Sequence, residues 1–136
     1  MKKTEILLVL GLALFLVGMS AGDGFSASAK QNFEHYCAQC HGMDGKGKGI
    51  NATKDLPVAP RDLTDGSDLG SFTNDQITNT LTKGGAVNEL SPIMPPWGNT
   101  MTKKEIKELV QYVRSLCKCV FDPKLKRKKS EATKGL

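Results

Sequence analysis

Two cysteines three positions apart, with a histidine directly after the second, limit this chain more than any other feature: Cys37-Ala-Gln-Cys40-His41. The residues around them read as a helix from Lys30 to Cys40. Phe33, Tyr36, Cys37 and Cys40 recur at the i, i+3, i+4, i+7 spacing of one helical face. Ser28 followed by Gln31 resembles a capping box, and Gly42 stops the helix. Both thiols and the imidazole are thereby gathered at one helix end.

Three chemistries use such a group. A thioredoxin-type couple needs a βαβ context, and no stretch of this chain reads convincingly as a strand. A zinc site would need a second pair of ligands. Cys117-Lys-Cys119 could supply it, but CxC is a poor match to the usual CxxC partner and leaves His41 unexplained. Covalent attachment of a c-type haem accounts for all three residues. Two thiols at this spacing reach the vinyl groups on one porphyrin edge, and the next residue's imidazole points at the iron.

The remaining pattern suits a fold that needs a large prosthetic group. Hydrophobic residues make up 39% and charged residues 24%, ordinary for a globular domain. Aromatics are only 6%, and a domain of this size buries a modest core on its own. A second helix is expected over Asn74–Lys83, with Thr73 and Gln76 as capping box, Phe72 and Ile77 as hydrophobic staple and Gly84-Gly85 as terminator. A third starts after Thr102, boxed with Glu105 and stapled by Met101 and Ile106. Its apolar stripe runs through Ile106, Leu109, Val110, Val113, Leu116, Cys117 and Val120, and Pro123 marks its latest end. Residues 42–71 and the stretch up to Pro95-Pro96 read as long loops, which a compact domain tolerates only when something organises them. The expected fold is all-α, three main helices around one covalently bound haem.

A sixth ligand to the iron has to come from far along the chain. Met43 lies two residues from His41 and cannot reach the opposite face. Met101 serves as a staple. Met94 sits in a loop stiffened by Pro92, Pro95 and Pro96, so His41 and Met94 are the expected axial pair. His35 is the other candidate ligand, but it lies two residues before Cys37 on the attachment side and reads rather as a surface residue of the first helix. Trp97 is a candidate haem contact, packing on the edge or donating its indole N–H. Arg61 either pairs with a haem propionate or is a solvated loop charge.

Residues 1–29 read as a signal peptide or an N-terminal membrane anchor. Lys2 and Lys3 precede an uncharged run of 17 residues from Ile6 to Gly22, followed by Ala27-Ser28-Ala29. The rest is expected outside the cytoplasm, periplasmic or extracytoplasmic. The net charge of +5 belongs to the end of the chain. Ten basic and ten acidic residues cancel from Lys30 to Cys117, whereas seven basic residues face two acidic ones from Lys118 onward. A haem domain is expected over 30–120 and a basic, disordered tail over 121–136. The tail suits an acidic partner or an anionic membrane surface. Cys117 and Cys119 read as a buried and an exposed thiol, or as a disulfide that would require the helix to open.

Phe33 to Gly49, Pro60-Arg-Asp-Leu-Thr-Asp, Met94-Pro-Pro-Trp97-Gly and Leu109-Val-Gln-Tyr-Val-Arg-Ser-Leu116 together resemble the class I monohaem cytochromes c, over about residues 30–117. The resemblance implies a crossing of first and last helices with Phe33 against Tyr112. It also implies His41/Met94 ligation, and a proline carbonyl, Pro57 or Pro60, accepting a hydrogen bond from His41. The function expected is one-electron transfer between transient redox donor and acceptor proteins in a respiratory chain, by a carrier rather than an enzyme. A haem subunit of a larger oxidoreductase is the alternative. A five-coordinate ligand-binding or peroxidase-like haem protein would require an iron that Met94 leaves open.

Overall fold

The computed structural model describes residues 28–128. The expected targeting segment lies outside the described residues, apart from Ser28 and Ala29, as does the end of the chain beyond residue 128. Helices and loops make up the described residues, with no strand among them, and no described helix is long and apolar enough to cross a membrane.

Helix α1 is built from three consecutive segments, Ala29–Asn32, Phe33–Cys37 and Ala38–His41. The Ser28 side chain accepts from the Gln31 N–H and the Gln31 side chain returns to the Ser28 N–H, the capping box expected from the sequence. The middle segment is a π-turn, with the Ala38 N–H donating to the Phe33 carbonyl. Such a widened turn adds a residue to the helix without ending it and shifts the phase of the residues after it. Nothing in the residue pattern announces it.

Helix α2, Gly66–Leu69, is a short turn capped by Asp65 within the expected long loop. Helix α3, Asn74–Lys83, has the expected bounds and the Thr73–Gln76 capping box. A 3₁₀ turn comes next at Gly85–Asn88, held onto α3 by the Asn88 amide, which donates to Gln76 O and Thr80 Oγ1, each at 2.7 Å. Helix α4, Lys103–Cys117, starts from the Thr102–Glu105 box. Its staple is buried, with Met101 at 5% and Ile106 at 3% exposure.

The core lies where α1 and α3 meet α4. Phe33, Leu109 and Val110 are its deepest side chains, and the Phe33 and Tyr112 rings sit 5.2 Å apart, tilted by 51°. That is the aromatic crossing the resemblance implies, in the range where ring pairs attract beyond their buried area.

The end of α4 differs from expectation. The stripe pointed on to Val120, but the helix stops at Cys117 because Lys118 takes a left-handed conformation, φ 49° and ψ 39°. Cys117 and Cys119 are bridged, and Val120 is 80% exposed. The chain then continues as a strap, residues 118–128, instead of leaving the body at residue 121. The Asp122 N–H donates to Gly70 O at 2.8 Å. The Arg127 guanidinium lies 4.5 Å over the Phe72 ring and donates to Asn88 O at 2.9 Å. Lys128 pairs with Asp65 and holds that carboxyl well below the usual carboxylate range. Composition suggested an unpacked tail because charge density disfavours a core. These side chains find specific partners instead.

Candidate functional site: a cavity lined by Cys37, Cys40, His41 and Met94

The last carbonyls of α1 would go unsatisfied unless the next loop reached back to them. It does so: Asn51, Gly49 and Gly47 donate their N–H groups to Gln39 O, Cys40 O and His41 O, at 2.7, 3.0 and 2.7 Å. This fold-back fixes the helix end that carries Cys40 and His41. The same loop places Arg61 O at 2.9 Å from His41 Nδ1. A carbonyl can only accept, so Nδ1 carries the proton and Nε2 keeps its lone pair. The resemblance implied Pro57 or Pro60 as the acceptor. The acceptor is the carbonyl one residue after Pro60, while Pro60 O packs against Gly47. Burial lowers the His41 pKa, favouring the neutral imidazole that a metal requires.

Cys37 and Cys40 are not bridged. Cys37 is buried, and desolvation, with Cys40 beside it, pushes its pKa up to about 12, so it is a protonated thiol. Both cysteines, His41 and Met94 line one cavity of about 390 Å³, within the roughly 300–1,000 Å³ typical of cofactor sites. Its walls are mainly apolar, with Leu69, Phe72, Leu81 and Val113 among them.

Met94 is half-buried, and its loop is tied to the 3₁₀ turn at Met94 itself and to α3 just after it. The Gly85 N–H donates to Met94 O at 3.0 Å, Trp97 N–H to Leu81 O at 2.8 Å and Gly98 N–H to Thr82 O at 3.1 Å. A Cβ on Gly85 would come within 2.2 Å of Ser91 O and 3.2 Å of Met94 Cβ. Glycine is thus required there for the loop to close on the 3₁₀ turn, a second duty for a residue that the sequence marks only as a helix terminator.

The other candidates separate clearly. Trp97 lines the cavity, its ring 5.2 Å from Tyr36. His35 is exposed and packs edge-on against Tyr36 at 4.6 Å. Met43 is 64% exposed and Met101 is core. Arg61 lines the cavity as part of an ion pair with buried Asp68, 5.4 Å from the Phe72 ring. Asp65, Asp68 and Lys128 also reach the cavity. Lys128 carries no sequence signal because its neighbours are all charged; Asp65, Phe72 and Asp68, whose Oδ1 accepts from the Lys128 N–H at 3.3 Å, receive the strap and lie far away in sequence.

The donor set fits a covalently attached haem: two thiols on one helix end, an imidazole oriented through its other nitrogen, a thioether sulfur and apolar walls. A strandless helical fold with this cavity defines a c-type cytochrome, and such proteins carry haem c.

The family model described as "Cytochrome C oxidase, cbb3-type, subunit III" matches residues 26–113, and the chain belongs to that family. It is similar to the cbb3-type cytochrome c oxidase subunit CcoP of Rubrivivax gelatinosus, 37% identical over 66% of this chain and 25% of the relative. It is also similar to the cbb3-type subunit FixP of Azorhizobium caulinodans, 31% identical over 85% of this chain and 36% of the relative. The chain thus spans only about a quarter to a third of the relatives' length. Among solved structures, the KustC0563 c-type cytochrome superposes with a TM-score of 0.53 at 21% identity. The match covers 66% of this chain and 98% of that one, and shows the fold.

Proposed function

We propose that the chain carries one haem, thioether-linked to Cys37 and Cys40 and ligated by His41 and Met94, and passes single electrons as part of a cbb3-type oxidase. The observation that carries the reading is the single cavity on which all four side chains converge. The haem supplies one-electron exchange; the protein's residues hold it and limit what else can happen. Arg61 O keeps His41 in the Nδ1-protonated form, which would leave the Nε2 lone pair to hold the metal. The α3-tied loop fixes Met94. With His41 and Met94 both taken up by the iron, electron transfer would be the remaining chemistry, so the chain would act as a carrier, outside the cytoplasm.

Read from its residues alone, the chain is first a free shuttle and only second a subunit. Membership of the subunit III family and the likeness to CcoP and FixP favour the second. The redox partners are then neighbouring subunits, and the basic strap faces an acidic surface among them or anionic lipid. An affinity-tagged full chain, purified in mild detergent from its own membranes, tests this. Constant-ratio co-elution with the oxidase's other haem-bearing chains is the expected result. Elution alone, with oxidase activity left in the unbound fraction, would return the protein to the shuttle class.

A further inference from the structure

The early end of α4 and the second cysteine pair form one device. The apolar stripe of α4 is written in the sequence as far as Val120, yet the helix ends at Cys117. What ends it is a bridge between residues two apart, with Cα atoms 5.1 Å apart. In a continuous helix, positions i and i+2 point to different faces. Lys118 has to turn left-handed to close the bridge, a conformation unfavourable for a residue with a Cβ. Bridge and helix extension are therefore alternatives for the same residues.

We propose that Cys117–Cys119 is a dithiol/disulfide exchange site, open to an external dithiol in the folded protein, and that its state decides whether the strap 118–128 stays seated on the cavity wall. Cys119 is half-buried while Cys117 is 8% exposed, so an incoming thiolate lands on Cys119 Sγ. The sulfur–sulfur bond breaks and Cys117 leaves as thiolate and takes up a proton. The second thiol of the reagent then displaces Cys119. The balance is one protein disulfide plus one dithiol giving two protein thiols plus the reagent's disulfide. Arg114 Nη1, 3.6 Å from Cys119 Sγ, favours the thiolate at that sulfur. A reductant of this class has to operate wherever the haem is attached, because thioether formation consumes Cys37 and Cys40 as free thiols.

The coupling to the strap comes from chain length. Residues 118–121 span roughly 13 Å extended but about 6 Å as helix. Extending α4 to seat Val120 and Phe121, both exposed at present, would retract the strap by several ångströms. Its fit allows no such slack. A Cβ on Gly70 would come within 2.7 Å of Leu125 Cδ1 and 3.3 Å of Val120 O, so strap and α2 are in direct contact. Arg114 links the same sulfur to the cavity, since it also donates to the carbonyls of Leu69 and Phe72, two wall residues.

The test uses holoprotein whose denatured, fully reduced form takes two alkylating labels and not four, which shows that Cys37 and Cys40 are held in thioethers. This control separates failure of haem attachment from failure of the exchange site. Native protein is equilibrated in dithiothreitol buffers of graded redox poise, then alkylated and weighed. Two labels per chain should appear without denaturant and vanish on reoxidation. Trypsin should cut the reduced form within Lys124–Lys128 at least tenfold faster. Cys119→Ser should be cut at that faster rate in oxidising buffer; if that variant fails to fold, the wild-type titration decides. Labelling that needs denaturant overturns the exchange site, and labelling with unchanged cleavage overturns its coupling to the strap.

Discussion

The chain holds two cysteine pairs that differ by one intervening residue and have opposite fates. Cys37 and Cys40 lie within α1, and both face one cavity without bridging each other. Cys117 and Cys119 straddle the end of α4, where a left-handed Lys118 lets them bridge. The lesson is that backbone context, more than spacing, decides what a thiol pair does. A helix end whose carbonyls are satisfied by a returning loop keeps two thiols in place for a ligand. A helix end with a turn free to go left-handed lets them close on each other.

The sharpest way to break this contrast is to remove each pair in turn. Cys37→Ala with Cys40→Ala should reduce covalent haem to background on a denaturing gel stained for haem peroxidase activity. Cys117→Ser with Cys119→Ser should keep most of that signal; equal loss from both would erase the distinction.

Next in size are the supports on which the pairs rest. Phe33→Ala removes the side chain that seats α1 on α4, 1% exposed, and should cost about 4 kcal/mol in urea unfolding. Arg114→Met removes the donor to Leu69 O, Phe72 O and Asn74 Oδ1, three bonds from one charged group, for about 3 kcal/mol. If the bridged pair depends on local geometry, Arg114→Met should also loosen the strap to protease, while Phe33→Ala at equal residual stability should not. The smallest effect is Thr102→Ala, which removes the cap of α4, remote from both pairs. It should cost about 1 kcal/mol and leave haem content and strap cleavage unchanged.

What the sequence made legible was whatever depends on neighbours in the chain. The capping boxes at Ser28, Thr73 and Thr102 are local exchanges of hydrogen bonds, and all three form as read. The cysteine and histidine spacing likewise placed Cys37, Cys40 and His41 together, and all three line one cavity. Four features were harder to read, two because they depend on distant partners and two because a local choice was left open or carries no residue signature. The His41 acceptor is Arg61 O rather than a proline carbonyl, because the loop from Gly42 returns one residue further on. The π-turn in α1 has no residue signature. The strap is held by Gly70, Phe72, Asn88 and Asp68, none of which marks itself as a docking point. The true end of α4 depends on a disulfide that overrides a continuing apolar stripe.

Occupation of the iron by His41 and Met94 together is the claim on which the electron-carrier reading rests. Mixing the reduced native protein with carbon monoxide and following its visible spectrum tests this most directly. The spectrum should stay unchanged on mixing, and Met94→Ala should bind carbon monoxide immediately. Immediate binding by the native protein would contradict the claim and would mean that the loop tied to α3 does not bring Met94 to the metal.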